Sequence, residues 1–273
     1  MPELPEVETV VRAIRPRLSG RRIVDACFTV PRQLLPQTDR QIRRAIKGQH
    51  IRDVRRRGKY ILVELQKGVL MIHLRMTGRL YVRPVGQPAH AHERAWFALE
   101  DGHELVFRDP RTLGTISYAT PKTIDALVGK LGWEPLQNDV DLPTVREKLR
   151  TRRTPVKPLL LDQRLWAGIG NIYASEILWE ARINPAKAAA SLTRQETQRL
   201  MAAILDVLSR AVKKGGSTIR DFMGPDGKAG AYQKQFRVYE RAGQPCLRCG
   251  SKVIRIVQAQ RSTYYCRVCQ KKR

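Results

Sequence analysis

Apolar residues near the start of the chain recur every three or four positions, which is the spacing of one helix face. They are Val7, Val10, Val11, Ile14 and Leu18. This pattern predicts a helix over residues 3–18 that packs on a core, with Gly20 as its stop and Pro16 shortening or kinking its last turn. The residues directly before this helix are thereby attached to a rigid element.

Between residues 22 and 107 the apolar residues come in short runs that turn-forming residues separate. The runs predict strands at 22–28, 60–65, 69–74, 79–82, 95–99 and 104–107. Asp101-Gly102, between the last two runs, predicts a hairpin turn. Short strands at this spacing indicate a β-sandwich or a β-barrel.

After about residue 120 the apolar period changes to that of helices. The predicted helices are 122–131, 142–150, 157–163, 171–181 and 194–213. Residues 215–235 are rich in Gly and polar side chains, which predicts a long flexible loop of the kind that is often functional. With 273 residues, the chain is predicted to form two domains, with room for a small module after residue 236.

Four of the five cysteines form two Cys-x-x-Cys pairs, Cys246/Cys249 and Cys266/Cys269, which 16 residues separate. Four thiolates at this spacing suit one tetrahedral Zn²⁺ ion and leave no open coordination position. The predicted cofactor is therefore a structural zinc ion that folds a small ribbon. The fifth cysteine, Cys27, lies in an apolar run and is predicted to be buried in a strand.

The charge balance indicates a polyanionic partner. Lys and Arg number 51 against 25 Asp and Glu, which gives a formal net charge of +26 at pH 7. Such a surface repels itself unless a polyanion binds, and nucleic acid is the usual one. An acidic membrane surface is the alternative, but no basic amphipathic helix with an aromatic face stands out. The chain has neither an apolar run of about 18 residues nor a signal-peptide pattern, which predicts a cytoplasmic protein.

The first six residues, Met1-Pro2-Glu3-Leu4-Pro5-Glu6, offer a nucleophile. Removal of Met1 would make the secondary amine of Pro2 the N-terminus, and terminal amines have a pKa near ~8, against ~10.4 for lysine. Such an amine is substantially unprotonated at neutral pH and can attack carbon to form a Schiff base. Glu3 would place a carboxyl group beside it for proton transfer. The alternative is a Pro-Glu pair that only starts the helix.

Several basic segments are candidates for contacts with phosphates. The chain has no acidic residue from Arg241 to its end, and Arg261 at the expected hairpin tip is the side chain predicted to reach a substrate. A solvated surface arginine is the alternative. The backbone N–H groups of Gly168-Ile169-Gly170-Asn171 precede a predicted helix and could bind a phosphate, unless the segment is a plain turn.

Two segments at the ends of predicted strands carry side chains that can wedge into a base stack. Met76 lies in the first, Arg111 and Leu113 in the second, and core packing is the alternative for each. His90 and His92 could ligate a metal ion, but without a carboxylate partner a surface loop or a phosphate contact is the preferred interpretation.

Taken together, these motifs resemble the formamidopyrimidine-DNA glycosylases, bacterial enzymes that repair 8-oxoguanine. The resemblance covers the whole chain, and the motifs follow the order of the family. They are Pro2-Glu3-Leu4-Pro5-Glu6, Gly58-Lys59-Tyr60, His73-Leu74-Arg75-Met76, Asp109-Pro110-Arg111, Lys157-Pro158-Leu159, Gly168-Ile169-Gly170-Asn171-Ile172-Tyr173, Gly215-Gly216-Ser217-Thr218, and the zinc ribbon with Gln260-Arg261.

The resemblance implies a multi-domain α+β fold with DNA in the cleft between the domains. Residues 1–133 would form an N-terminal catalytic β-sandwich with flanking helices. Residues 134–235 would form a helix–two-turn–helix DNA-binding domain with a loop that covers the lesion, and residues 236–273 a zinc ribbon. The implied protein is a monomer that binds double-stranded DNA with oxidised bases in the bacterial cytoplasm, associated with the nucleoid.

The resemblance also implies a bifunctional DNA glycosylase and AP lyase of base excision repair, which flips an oxidised purine out of the duplex. In that family the residue matching Pro2 attacks C1′ of the deoxyribose, expels the base and leaves a Schiff base. The residue matching Glu3 donates a proton that assists opening of the sugar ring. Lys59 and Arg261 match positions assigned to the β- and δ-elimination steps.

Other positions match contacts with DNA in the same family. His90, Arg111, Arg152 and Asn171 match residues that bind DNA, and Met76 matches an intercalating wedge. Leu113 stands where the family commonly has a wedging Phe, and Thr112 where a basic residue is usual. We expect these two departures to leave the chemistry intact and to alter lesion search or opposite-base preference.

Two other functions stay open from the sequence. The endonuclease VIII branch shares Pro2, Glu3 and the ribbon but prefers oxidised pyrimidines. Leu4, together with Gln260-Arg261 and the pair Met76 and Arg111, favours the purine branch. A non-catalytic zinc-ribbon protein that binds DNA would explain the charge and the cysteines, but it gives no role to Pro2 and Glu3.

Overall fold

A computed structural model describes residues 1–137, 140–218, 224, 227 and 229–272 of the chain. The chain folds into two compact units, one of residues 1–130 with 215–231 and one of residues 131–214 with 232–273. The 215–231 segment thus belongs to the first unit, and the cysteine-rich end belongs to the same unit as the helices. The predicted division into 1–133, 134–235 and 236–273 stays a prediction.

The first unit begins with helix α1 (Leu4–Leu18). Its start is a capping box, in which the Glu3 carboxylate accepts the N–H of Glu6 and the Glu6 carboxylate accepts the N–H of Glu3 at 2.8 Å. The predicted helix is confirmed, but Pro16 does not end it, because a proline in the last turn removes only one helical hydrogen bond. Residues 1–3 are held where this helix begins.

Eight strands form two antiparallel four-stranded sheets. One sheet has the order β1 (Ile23–Phe28), β6 (Glu93–Leu99), β7 (His103–Arg108) and β5 (Arg79–Pro84). The other has the order β2 (Ile51–Arg57), β3 (Tyr60–Leu65), β4 (Val69–His73) and β8 (Thr115–Ala119). Buried apolar side chains of both sheets and of α1 form one core, so the predicted β-sandwich is confirmed.

The remaining helices of the first unit are α2 (Asp39–Ile46) and α3 (Ile124–Val128), and a 3-10 turn spans Pro31–Gln33. The sequence pattern missed α2, β2 and β8. The apolar pattern did not predict strand β2, because only two of its seven residues are apolar and four are arginines.

Cys27 does lie in a strand, but it is exposed rather than buried. An irregularity between Ile23 and Asp25 shifts the register of β1, so that Ala26 faces the core instead.

The second unit contains α4 (Leu142–Arg150), α5 (Val156–Leu160), α6 (Asn171–Glu180) and α7 (Arg194–Lys213), with short 3-10 turns at Ala189–Ser191 and Tyr232–Gln235. Strands β9 (Val253–Gln258) and β10 (Arg261–Cys266) form an antiparallel hairpin. Its turn residues, Ala259 and Gln260, both have positive φ, as a two-residue turn of the I′ type requires. No helix in the described part of the chain is both long and apolar enough to cross a lipid bilayer.

A buried carboxylate organises the segment that leads to the hairpin. Glu176 of α6 is 1% exposed and accepts the backbone N–H groups of Arg237, Val238 and Tyr239 at 2.8–3.0 Å. Burial raises the pKa of Glu176, and these three donors oppose the rise. This carboxylate ties α6 to the chain just before the cysteines.

Candidate active site and nucleic-acid interface

The predicted nucleophile and its acid lie at the start of α1. Pro2 and Glu3 are buried, with Glu3 3% exposed, whereas Met1 is 42% exposed. Glu3 has an extended backbone and is the residue that caps the helix. Removal of Met1 would therefore uncover a secondary amine that the helix start already holds beside a carboxyl group.

Lys59 is held in the same unit by a tight turn. Gly58 and Lys59 join β2 to β3, with Gly58 at φ +55°, and Lys59 is 7% exposed. Arg56 donates to Glu8 of α1 at 3.0 Å and to the carbonyl of Gly58 at 2.9 Å. Arg56 therefore links the helix that starts at the predicted nucleophile to the turn that carries Lys59.

Arg12 and Arg56 act together on the Glu8 carboxylate. Burial acts to raise the pKa of Glu8, but hydrogen bonds and charge from Arg12 and Arg56 outweigh it and lower the pKa. The carboxylate is thus ionised at neutral pH and attracts both guanidinium groups. Its pair with Arg56 is largely shielded from water, with side-chain exposures of 7% and 19%.

Glu6 connects the helix start to the 215–231 segment. Its second carboxylate oxygen accepts the N–H of Ser217 at 2.6 Å and the hydroxyl of Ser217 at 3.1 Å. Gly216 has φ +74°, and a Cβ on it would lie 2.7 Å from the same Glu6 oxygen. Thr218 accepts the N–H of Gly230 at 2.8 Å, which closes the base of the segment. Residues 219–223, 225, 226 and 228 of the predicted lesion-covering loop lie outside the described residues.

One buried carboxylate holds the two turns that carry the predicted wedge residues. Asp109 is fully buried and accepts the Thr77 hydroxyl at 2.5 Å, the N–H of Gly114 at 2.7 Å and the side-chain amide of Gln33 at 3.0 Å. Thr77 also accepts the N–H of Arg111 at 3.3 Å. The turns at 74–78 and 109–114 are thereby joined through a single side chain.

The predicted wedge residues project from these turns rather than into the core. Met76 is 40% exposed and Leu113 is 44% exposed, and Arg111 is also exposed. Single exposed apolar side chains are common on protein surfaces, so this exposure excludes core packing but does not by itself assign a role. The arrangement offers two apolar side chains and a cation on rigidly held turns. The core-packing alternative is wrong for all three.

His73 shapes the turn next to Met76. Its Nδ1 accepts the backbone N–H of Arg75 at 2.9 Å, and its ring meets Tyr60 edge-on with centroids 4.7 Å apart. Burial, with the charges of Arg75 and Lys59, lowers the pKa of His73 to about 3. The imidazole is therefore neutral at every physiological pH and can act as this acceptor.

The second unit carries Asn171, Arg152 and Arg261. Arg152 is exposed just after α4, and Arg261 is exposed at the first position of β10, directly after the hairpin turn. Asn171 is the first residue of α6, and its amide donates to the carbonyl of Ser262 at 3.0 Å. The hairpin that carries Arg261 is therefore bonded to the start of α6.

Lys157 is the centre of that connection. It is 1% exposed, and its Nζ donates to Asn171 Oδ1 at 2.7 Å, to the carbonyl of Ser262 at 2.8 Å and to the hydroxyl of Thr263 at 2.7 Å. Oxygen acceptors of this kind offset the cost of burying an ammonium group. Lys157 thereby fixes the residue beside Arg261 against the start of α6.

The four predicted zinc ligands meet at the end of the chain. The sulfur atoms of Cys246, Cys249, Cys266 and Cys269 all lie within 4.8 Å of one another, with Cys246 and Cys269 3.9 Å apart. Zn–S bonds of about 2.3 Å place tetrahedral ligands about 3.8 Å from each other, so the set fits one zinc ion. Trp179 of α6 donates its indole N–H to the Cys246 sulfur at 3.4 Å, a contact of the kind that orients a ligand. Among the described residues no other group of three or more metal-ligating side chains forms, so His90 and His92 belong to none.

Comparison with known proteins identifies the same three parts in the same order. Residues 1–116 match the family model "Formamidopyrimidine-DNA glycosylase N-terminal domain", residues 131–223 the "H2TH domain" of the same enzymes, and residues 243–272 the "Zinc finger found in FPG and IleRS". The formamidopyrimidine-DNA glycosylase of Pelotomaculum thermopropionicum is 42% identical over 99% of both chains. That of Streptococcus pneumoniae is 39% identical over 100% of both chains.

The chain belongs to the formamidopyrimidine-DNA glycosylase family. The Lactococcus lactis enzyme of this family in complex with DNA containing an abasic site has a TM-score of 0.91 and 36% identity, over 99% of this chain and 100% of that one. A mutant of that enzyme in complex with DNA containing Fapy-dG has a TM-score of 0.92, with the same identity and coverage. The chain is therefore a DNA glycosylase and AP lyase of base excision repair, with one structural zinc ion.

Several buried polar residues that hold the site of this glycosylase together lie inside the sequence motifs, but the motifs alone did not show their roles. Glu6, His73 and Asp109 lie inside the matched motifs. Arg75, the partner of His73, is only two residues away, but Ser217, a partner of Glu6, and Gln33, a partner of Asp109, are far away in the chain. The spacing of Glu3 and Glu6 is a recognisable capping-box signal. Ser217, the other partner of Glu6, is 211 residues away in the sequence, so no local pattern indicates this contact.

Gly216→Ala is expected to lower the glycosylase rate about 10²-fold, the scale on which a displacement of about 1 Å acts. The new methyl group would meet the Glu6 carboxylate and push it away from Glu3 and Ser217. Gly215→Ala is the matched control, because φ is +71° there but nothing lies closer than 3.9 Å. Single-turnover excision rates of both variants make the comparison. Equal losses would attribute the effect to backbone strain alone and contradict a role for Glu6.

Lys157→Met is expected to lower the free energy of unfolding of the second unit by about 3 kcal/mol, because the buried hydroxyl of Thr263 and the partly buried oxygen atoms of Asn171 and Ser262 lose their donor. DNA affinity should fall with it, since Ser262 beside Arg261 would no longer be fixed. Thermal unfolding and DNA titration measure the two effects. Lys148→Met, at an exposed position of α4, should change neither. A wild-type melting temperature for Lys157→Met would show that the network contributes no stability.

Proposed function

We propose that this glycosylase removes oxidised purines, 8-oxoguanine and formamidopyrimidines, from duplex DNA. Related solved structures hold DNA with Fapy-dG and with carbocyclic 8-oxo-G. The observation that carries the Schiff-base mechanism of the proposal is the helix start, where the residue that follows Met1 is a proline held beside a buried glutamate. The related structures named above support the purine substrate. This placement suits a nucleophile that exists only as a terminal amine.

In the proposed reaction the Pro2 nitrogen attacks C1′ of the flipped nucleotide. The N-glycosidic bond breaks, and the base leaves with the bonding electron pair and takes up a proton. Glu3 gives a proton to the sugar ring oxygen as the C1′–O4′ bond opens, and an iminium ion remains on Pro2. The iminium acidifies the hydrogens on C2′, so that loss of one of them expels the 3′ phosphate.

A second elimination expels the 5′ phosphate. We assign Lys59 and Arg261 to the two elimination steps, where a cation can stabilise the phosphate that leaves. Lys59 lies on the turn that Arg56 links to α1, in the same unit as Pro2 and Glu3. Arg261 lies on the hairpin of the second unit. A water molecule then hydrolyses the iminium ion to an aldehyde and releases the Pro2 amine for the next turnover.

We assign the contacts with DNA to exposed side chains and to one helix start. His90, Arg111 and Arg152 bind phosphates or bases, and Met76 fills the gap that the flipped nucleotide leaves. At Asn171 the first N–H groups of α6 face a phosphate, since a helix start favours an anion. The protein acts as a monomer on the bacterial nucleoid, and the three predicted domains divide at residues 133 and 235.

Borohydride trapping tests the proposal directly. A duplex with 8-oxoguanine opposite cytosine is incubated with the protein, whose intact mass first confirms loss of Met1, and the iminium is reduced. A covalent adduct that mass spectrometry locates on Pro2 is expected, together with free 8-oxoguanine. A duplex with an oxidised pyrimidine serves as the comparison. Faster excision from that duplex would overturn the purine assignment, and no adduct from either would overturn the Schiff base.

Leu113→Phe is expected to change opposite-base preference while leaving the excision rate opposite cytosine within about threefold. Leu113 projects from the turn that Asp109 holds, and an aromatic ring there could stack on a base as leucine cannot. Excision of 8-oxoguanine opposite each of the four bases measures the effect. Identical profiles for the two proteins would count against a role of residue 113 in reading the opposite strand.

A further inference from the structure

The loop between β5 and β6 lies over a buried ion pair. Arg83 of β5 and Glu93 of β6 are 7% and 5% exposed, and two parallel hydrogen bonds of 2.7 and 2.9 Å join the guanidinium to the carboxylate. Glu104 accepts the third guanidinium donor, Nε, at 2.8 Å. A bidentate pair of this kind fixes both side chains in one orientation.

Glu93 accepts three further hydrogen bonds. The donors are the Tyr81 hydroxyl at 2.7 Å, the Trp96 indole at 2.8 Å and the backbone N–H of His90 at 3.0 Å. Burial acts to raise the pKa of Glu93, but these donors and Arg83 outweigh it and lower the pKa. The carboxylate is therefore ionised when it holds the backbone of the loop.

Stability alone is a weak reason for this arrangement. A buried ion pair often contributes no more to folding than well-packed apolar side chains of the same size. Apolar side chains could not, however, hold the loop backbone. Arg83 donates to the carbonyl of Pro88 at 3.2 Å while Glu93 accepts from His90, so that both members of the pair reach the same loop.

The rest of the loop is fixed in the same way. Arg108 donates to the carbonyl of Ala91 at 2.7 Å, and the N–H of Asp109 donates to the carbonyl of His92 at 2.9 Å. The side chains of His90 and His92 are nevertheless exposed. A loop with a fixed backbone and exposed side chains is built to present those side chains to a partner.

We propose that Glu93 is a positioning residue for DNA binding, which acts by holding the backbone of His90. The inference rests on the proposed contact between His90 and DNA. Because the loop is already ordered in the free protein, DNA binding costs less conformational entropy at His90. Preorganisation of this kind raises the affinity. Loss of the hydrogen bond between the Glu93 carboxylate and the His90 N–H should weaken DNA binding about tenfold, which is the effect of one such hydrogen bond.

The test is a double-mutant cycle on binding to a duplex with a reduced abasic site, which the enzyme cannot process. Glu93→Gln and His90→Ala are each expected to weaken binding about tenfold, and the double variant should bind no more weakly than the weaker single variant. Glu104→Gln is the matched control. Glu104 accepts a hydrogen bond from the same Arg83, and within the described residues it makes no hydrogen bond or ion pair with the loop. The DNA affinity of this variant should therefore stay within about twofold of the wild-type value.

The inference would be overturned if Glu93→Gln binds DNA with unchanged affinity, or if Glu93→Gln and Glu104→Gln lose equal affinity. It would also be overturned if the losses of affinity in the two single variants multiply in the double variant. Unchanged affinity of His90→Ala would also overturn it, and would refute the proposed contact while leaving borohydride trapping on Pro2 intact. If Glu93→Gln melts below the assay temperature, Arg83→Lys replaces it. That variant keeps the charge but loses the fork that reaches Pro88, and it should weaken binding in the same non-additive way.

Discussion

A chain that retains Met1 is expected to lose base excision by a factor of about 10³ or more, the scale of losing a covalent nucleophile. In the retained form the Pro2 nitrogen belongs to an amide, whose lone pair is delocalised and cannot attack C1′. Protein made while methionine aminopeptidase is inhibited supplies this form with no other change in sequence. Single-turnover excision of 8-oxoguanine and the intact mass are measured on the same sample.

Treatment of that sample with methionine aminopeptidase provides the control. Met1 is 42% exposed, so the enzyme should remove it from the folded protein and restore excision in proportion to the mass change. DNA affinity should be nearly equal before and after treatment, because the side chains assigned to DNA contacts are unchanged. Full excision by the Met1-retaining protein would place the nucleophile elsewhere and contradict the role of Pro2.

The local features of this region were predictable from the sequence. The apolar spacing predicted α1, and the Pro2-Glu3 pair is typical of a helix start, because both signals are local in the chain. The zinc ligands were equally local, since two Cys-x-x-Cys pairs specify a tetrahedral thiolate set almost alone. These elements determine most of the chemistry proposed for the chain.

The positioning of the site could not be predicted, because it depends on buried polar side chains with distant partners. Asp109 joins Gln33, Thr77 and Gly114, and Glu6 joins Glu3 to Ser217. A single sequence shows an acidic residue at each place but not its donors. Strand β2 was missed for a related reason: its arginines interrupt the apolar alternation, and its place in the sheet comes from pairing with β3.

Cys249→Ala is expected to abolish zinc binding and to lower DNA affinity about 10²-fold or more. The apolar cluster around the hairpin is small, and two of its buried members, Cys246 and Cys266, are themselves zinc ligands. A structural zinc ion supplies about 10–16 kcal/mol to folding at pH 7, which this cluster cannot replace. Without it β9 and β10 should unfold, and Arg261 would lose the fixed position that the contact between Lys157 and Ser262 gives it.

Zinc content per chain, limited proteolysis and DNA titration check this expectation together. Cleavage should begin within residues 243–272 and spare the first unit, whose core of two sheets and α1 contains no zinc ligand. Cys27→Ser is the matched control, since Cys27 is an exposed thiol in β1 and no member of the four-cysteine group. It should keep one zinc ion per chain and wild-type affinity. Retention of zinc and affinity by Cys249→Ala would show that three thiolates suffice to bind zinc and fold the hairpin. Wild-type affinity without zinc would show that the hairpin folds by packing against Trp179 and Val238 instead.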